Sequence, residues 1–458
     1  MPDDCHHANV NAIHKKGAVD NCENYRPISL ICVAYKLFAS LLLKRLQEAG
    51  AEDRLTSTQS GFRHGRGTGD AICAVRRHID LALARRCGRT ALLALDWAKA
   101  FDSINVGAMI TALRRFGLPE KRILRIISHI YEDRLFSVAD GSSCSSTRRQ
   151  CSGISQGCPL SPFLFVMLMS VMMKDAVGSL SHESQALYGT GSLDSLLYAD
   201  DTLIVGLAEE RVQELLDAVA ATGQNYGMEL HWSKFQLLQV NGEYKLSAPD
   251  GSVIAPTEVM TYLGACIYAD GGIKSELNRR LGAAWSDFCK LSRLWKHNTL
   301  PRTRKIQILQ AVITSRLLYS LGSAWLNVAE MRRLNGFQCR CLRQLLGIKP
   351  SFISRVSNFS VLQQSGQISY GRQLLRQQLL LFGRVARAPE TDPLRRLTFV
   401  PGSVRPATGQ YVRRVGRPRN EWAVMLEKEA QKMHTNFNQM VHNEMEWKSA
   451  VTDYCMCA

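Results

Sequence analysis

LLYADDTLIV, residues 196–205, sets two adjacent aspartates, Asp200 and Asp201, in the middle of an otherwise apolar run. Most of the run suits a core as one or two short strands, whereas two ionised carboxylates in such a place cost several kcal/mol each unless something compensates them. The pair therefore marks either a turn or a cation site. The turn reading makes the stretch a β-hairpin with apolar arms 196–198 and 203–205 and Asp-Asp at its tip.

A second acid upstream favours cations. In ALLALDWAKAFDSI, residues 91–104, the apolar strand 91–95 runs straight into Asp96. Two strands that each end on a carboxylate can bring those groups together at neighbouring positions of one sheet. Like charges that close repel, raise one another's pKa and need divalent cations to stay ionised. Hard oxygen ligands in an incomplete protein cage are how Mg²⁺ is held, with substrate phosphates and water completing the shell. Two such ions clamp the attacking and leaving oxygens of an in-line phosphoryl displacement.

Bulk charge points to the same chemistry. The 458 residues carry 57 Lys and Arg against 40 Asp and Glu, a net +17, and a surplus of that size serves a polyanionic partner, nucleic acid before an anionic membrane. At 46% apolar residues the chain is long and apolar enough for two to four packed units. Its longest apolar run, PFLFVMLMSVMM at 162–173, is too short for a membrane span and predicts a buried core helix, so no membrane partner is expected. The opening MPDDCHHANVNAIHKKG has no apolar signal region, which favours an intracellular protein, in nucleus or cytoplasm. Fourteen scattered cysteines without a Cys-x-x-Cys pair read as free thiols.

Short apolar strands alternate with helical patterns over 25–240, and the pattern turns helical after Gly251, with amphipathic helices expected at 277–295 and 305–325. Beyond Pro350 it loosens. Residues 371–420 hold 11 arginines, no lysine and 2 acids, a net +9, in Gly- and Pro-broken sequence that suits phosphate contacts.

Seven motifs then fall in order: YRPISL (25–30), QSGFRHGRGTGDAI (59–72), LDWAKAFDSI (95–104), GISQGCPLSPFLF (153–165), YADD (198–201), HWSKFQLLQ (231–239) and YLG (262–264). This set resembles that of reverse transcriptases, and most closely the polymerase of non-LTR (LINE-type) retrotransposons. The resemblance implies an α+β right-hand polymerase fold with an antiparallel palm sheet and a helical C-terminal part. Residues 1–95 would be mainly fingers with the start of the palm, 91–255 palm, 256–350 primer grip and thumb, and 351–458 a basic nucleic-acid-binding region. It implies an RNA template, a DNA primer and dNTPs as partners, two Mg²⁺ ions or Mn²⁺ in their place, and a separate endonuclease, since no nuclease motif accompanies the polymerase.

The same resemblance assigns roles. Asp96, Asp200 and Asp201 match the metal-binding aspartates, Asp201 being the less critical. Lys234 matches a lysine that protonates departing pyrophosphate. Lys16, Arg26, Phe101 and Gln156 would bind the dNTP, with Phe101 as the sugar gate and Gly153 and Gly157 allowing close backbone approach to a ligand. Tyr262, Leu263 and Gly264 match the primer grip. Arg63 and Arg66 would meet template phosphates or the fingers loop, and Arg413, Arg414, Arg417 and Arg419 would bind nucleic acid. Asp102 reads as the N-cap of a helix starting near Asn105. A group II intron-type reverse transcriptase, an RNA-dependent RNA polymerase and a catalytically dead RNA-binding remnant share parts of this pattern.

Overall fold

The computed structural model describes residues 7–456 other than 133, 142, 298 and 413–418. It is α+β, with 54% of the chain helical. The chain divides into two compact units: residues 1–67, 91–237 and 244–256 form the first, and 68–90, 238–243 and 257–458 the second.

In the first unit, β1 (His7–His14) pairs antiparallel with β2 (Tyr25–Leu30). The β3 strand (Thr90–Leu95) is buried on nearly every residue, as a strand covered on both faces must be. The strand β4 (Leu135–Asp140) runs parallel to β1. The stretch 196–205 is a hairpin: β5 (Leu193–Tyr198) returns as β6 (Asp201–Gly206), which also pairs antiparallel with β3. The turn is not Asp-Asp, however. Tyr198 pairs with Asp201, so the two loop residues are Ala199 and Asp200, and Asp201 already belongs to β6.

Behind this sheet lies the helix Ser161–Gly178, which Pro162 helps to start. It is long and apolar enough to cross a membrane, yet 72% of it is buried inside the protein. Its ring of Phe163, Phe165, Met167, Leu168 and Met172 joins Leu93, Leu197 and Ile204 of the sheet in one core, and each such side chain contributes about 1.5–3 kcal/mol when fully buried. That packing fixes the strands whose ends carry the acids.

In the second unit the helix expected at 277–295 breaks at Leu291 into Lys274–Lys290 and Ser292–Lys296, with Leu277, Phe288 and Trp295 buried. The helix expected at 305–325 runs as Arg302–Ile308, a wider π turn at Leu309–Thr314 and Ser315–Leu318. The C-terminal part is more ordered than its composition suggests. Tyr370–Arg387 is an amphipathic helix whose Phe382 meets Phe399, Trp422 and Trp447 at 5.0, 6.3 and 6.2 Å between ring centres. The arginines there serve this packing: Arg372 donates to Tyr454 O, Arg387 to Val441 O and Arg395 to Ala386 O, while Arg384 pairs with the buried Asp70. Guanidinium groups that satisfy helix-end carbonyls are not loose surface charge.

Candidate active site

Strand register brings the acids together. Leu95 pairs with Thr202 across β3 and β6, so Asp96, just past the end of β3, and Asp201, the first residue of β6, fall at the same end of the sheet, with Asp200 in the adjoining turn. Their charges are coupled. Burial, and then Asp96, push the Asp200 carboxyl above its ordinary range, while the nearby Arg26 guanidinium eases it back. Asp201 is exposed at the start of β6, yet lost hydration around its carboxyl and the charges of Asp200 and Asp96 push it up to about 6. Carboxyls raised by burial and by neighbouring like charge are eased by a cation.

Asp96 is held from its other side. His231 N–H donates to Asp96 O at 2.7 Å and Ala98 N–H to Glu229 O at 2.8 Å, so 229–231 runs beside 96–98. That places Lys234, on the short 3₁₀ turn Trp232–Lys234, with Nζ 2.9 Å from Asp96 Oδ2.

The donors fit a hard divalent cation: three carboxylates and neither thiol nor imidazole among them. Among the described residues no three His, Cys, Asp or Glu side chains converge tightly enough to enclose an ion alone.

Asp102, three residues ahead of Asn105, does not cap a helix. Asn105 itself caps Val106–Arg115 by accepting from Ala108 N–H. The half-buried Asp102 carboxylate instead accepts from Gln156 Nε2, 3.1 Å from each oxygen, and burial holds its pKa up. Gln156 is therefore oriented by an acid, and its carbonyl accepts from Ser29 N–H of β2 at 2.7 Å. Gly153 and Gly157 make close approaches to the protein's own backbone. A Cβ on Gly153 (φ +80°) would lie 2.6 Å from Asp102 O, and one on Gly157 (φ +123°) 2.5 Å from Ser29 O.

Phe101 is half-buried and stacks on Phe165 with ring centres 4.5 Å apart. Arg26 is exposed on β2. Lys16 is exposed in the turn after β1, and its neighbour Lys15, with Lys99, is felt as positive charge at Asp102. Arg63 donates to the carbonyls of Glu52, Thr56 and Gln59 at 3.3–3.4 Å, which makes it a clamp of its own loop, where Arg66 N–H also closes a turn on Arg63 O.

In the second unit Tyr262, Leu263 and Gly264 form the tip of a hairpin, β7 (Val259–Tyr262) and β8 (Ala265–Tyr268). Leu263 and Gly264 both have positive φ, +47° and +73°, the geometry of a tight two-residue hairpin. Tyr262 is buried, and the turn at Leu263 and Gly264 is braced by Tyr319 Oη on Leu263 O and by Arg279 and Arg280 on Gly264 O. Arg419 donates to Asp270 O at 2.7 Å, and Arg413, Arg414 and Arg417 lie outside the described residues.

Gln59 and the strained Ala199, φ +57°, were not legible as site residues. A left-handed alanine stores about 1–3 kcal/mol and marks the turn as held from outside. The signal in the sequence was an alanine where a glycine or asparagine suits the turn.

The family described as reverse transcriptase (RNA-dependent DNA polymerase) matches residues 13–267, more than half of the chain. The Pol polyprotein of the type-2 retrotransposable element R2DM from Drosophila melanogaster is 26% identical over 326 residues, 68% of this chain and 29% of that protein. The Pol polyprotein of the type-1 retrotransposable element R2 from Nasonia vitripennis is 28% identical over 206 residues, 45% of this chain and 19% of that protein. A 149 kDa protein of transposon TX1 from Xenopus laevis is 26% identical over 335 residues, 70% of this chain and 24% of that protein. The chain thus spans less than a third of the length of these relatives. A telomerase structure from Candida tropicalis superposes with a TM-score of 0.42 at 13% identity, over 87% of this chain and 68% of that one, too loosely to bear on fold or function. With its motifs inside the matched span and its relatives among non-LTR retrotransposable elements, the chain belongs to the reverse transcriptase (RNA-dependent DNA polymerase) family.

Proposed function

We propose that the chain is an RNA-directed DNA polymerase that extends a DNA primer on an RNA template with dNTPs. The observation that carries this reading is the set Asp96, Asp200 and Asp201, brought to one end of the sheet by register with Lys234 and Arg26 beside it. The family implies dependence on a divalent metal. Asp96 and Asp200, with Asp201, would hold two Mg²⁺ ions, or Mn²⁺, which when bound polarise the attacking hydroxyl and neutralise charge on the transferred phosphate.

The protein's own groups do the rest. Arg26 contacts the triphosphate through its planar guanidinium, with Lys16 as a second cation. Gln156, set by Asp102, lines the nucleotide pocket, and Phe101 fills the space of a ribose 2′-hydroxyl. Lys234 Nζ gives a proton to the departing pyrophosphate. The Leu263–Gly264 turn holds the primer end, and Arg63, Arg66, Arg413, Arg414, Arg417 and Arg419 lie on segments that follow nucleic acid. In this reading 91–255 is palm, 256–350 primer grip and thumb, and a separate endonuclease supplies the nick. The protein works where its template is, in nucleus or cytoplasm.

The test is extension of oligo(dT) on poly(rA) with dTTP and Mg²⁺ or Mn²⁺. Product that depends on both template and metal supports the reading, and none with either metal overturns it.

A further inference from the structure

Gln59 is completely buried, and its side chain is spent on the backbone of the catalytic hairpin. Its Oε1 accepts from Ala199 N–H at 2.9 Å and from Gly61 N–H at 2.8 Å, while Nε2 reaches Ala199 O at 3.5 Å, a weaker contact. Around it, Ser60 N–H donates to Leu197 O at 2.8 Å and Leu197 N–H to Thr58 O at 3.2 Å, so Gln59 bridges Leu197 in parallel and 58–60 lies along the edge of β5. Gly61 completes the fit: a Cβ there would lie 2.4 Å from Ala199 N.

Ala199 is the residue that needs such help. It is buried, its φ is +57°, and it immediately precedes Asp200 in a two-residue turn. In that turn its N–H has no ladder partner in β6, and burial removes it from water, so Gln59 Oε1 is what satisfies it. We infer that Gln59 is a positioning residue: by holding the Ala199 peptide in its left-handed conformation it fixes the direction in which Asp200 leaves the hairpin, and Gly61 leaves room for that clasp. Gln59 touches no reacting group and acts through Ala199. The clasp ties the loop 58–61 to the catalytic turn, so a change in either moves the other.

The proposal rests on the polymerase reading for its kinetic consequence but not for its structural one, and the experiment separates the two. Gln59→Met keeps the length and removes every hydrogen bond; Gly61→Ala keeps Gln59 and crowds the turn. Each is expected to lower kcat for dTTP incorporation on poly(rA)/oligo(dT) by about tenfold or more, with the KM for dTTP and the Kd for primer–template within about threefold of wild type, as for a group needed in the transition state alone. Backbone amide exchange of the free protein, read by mass spectrometry, is expected to quicken in 193–206 and 58–61 while the helix Ser161–Gly178 keeps its protection. A kcat within threefold of wild type in Gln59→Met overturns the proposal, as does a loss shared equally by kcat, Kd and exchange throughout the first unit. If the wild type makes no product, the polymerase reading falls; the exchange pattern then decides the clasp alone, and an unchanged 193–206 overturns it.

Discussion

Lys234 Nζ lies 2.9 Å from Asp96 Oδ2, with both side chains about half exposed, so a proton donor is tethered to one of the candidate metal ligands. An ion pair this open is worth at most about 1 kcal/mol to stability, which makes Lys234 more valuable for where it sits than for what it stabilises. Lys234→Ala is expected to lower kcat by about 10²-fold while leaving the melting temperature nearly unchanged. Lys234→Arg keeps the pairing charge but replaces a usable acid by one with a pKa above about 12, so it should be slow as well. Full activity in Lys234→Arg would show that the position needs only positive charge.

Asp201 sets a pH dependence. Although the residue is exposed, its carboxyl is raised to about 6 by lost hydration and by the charges of Asp200 and Asp96. A carboxyl whose folded pKa exceeds its unfolded one stabilises the fold in its protonated state, so that contribution is present at low pH and is lost as pH rises through about 6. The metal-free protein is therefore expected to gain thermal stability from Asp201→Asn at pH 7.5 and little at pH 5. Protons and cations compete for the same oxygens, so Mn²⁺ affinity should weaken as pH falls below about 6. Thermal melts in chelator at both pH values, with Mn²⁺ titrations alongside, check both signs.

The Asp102 carboxylate accepts from Gln156 with both oxygens. A hydrogen bond to a charged group contributes about 1.5–3 kcal/mol, so freeing Gln156 by Asp102→Ala should raise the KM for dNTP by about tenfold. Asp102→Asn keeps a carbonyl acceptor and should stay near wild type. A KM unmoved by Asp102→Ala would detach Gln156 from nucleotide binding.

Phe101 packs on Phe165 at 4.5 Å and so has both a wall and an open face. Phe101→Val should weaken discrimination against rNTPs by about tenfold or more, and losing the stack should cost about 1–2 kcal/mol of stability. A stability loss with unchanged sugar selectivity would return Phe101 to the core alone.

What could be read in the sequence was what local pattern encodes. A carboxylate closing an apolar run, as at Asp96 and again at Asp200, announces itself because burial of a charge is costly wherever it occurs. The apolar run at 162–173 likewise became the core helix. Contacts between distant residues were not legible. Gln59 and Ala199 are 140 positions apart, and nothing near either names the other. Asp102 was misread because an acid ahead of a helix suits an N-cap, and Asn105 fills that role just as well. Composition likewise counts the charge of the arginines of 371–420, whereas the fold also uses Arg372, Arg387 and Arg395 as donors to carbonyls that sequence cannot pair. The turn at Ala199 and Asp200 moved by one residue from expectation because register, which follows from β3 and β6 pairing in three dimensions, decides where a hairpin closes.

Asp200 tests the whole account. Asp200→Asn keeps the shape of the turn and removes one charge from the coupled set, so it should also relieve repulsion and leave the metal-free fold at least as stable as wild type. The measurement is single-nucleotide extension of a labelled DNA primer on an RNA template of defined sequence, wild type beside Asp200→Asn, with equal primer–template binding confirmed for both. Templated addition by the wild type and a loss of about 10³-fold or more in Asp200→Asn is the predicted result, the scale expected when a charge that acts directly on the reacting groups is removed. Equal extension by the two proteins would contradict the assignment of Asp200, and with it the metal site built on the hairpin.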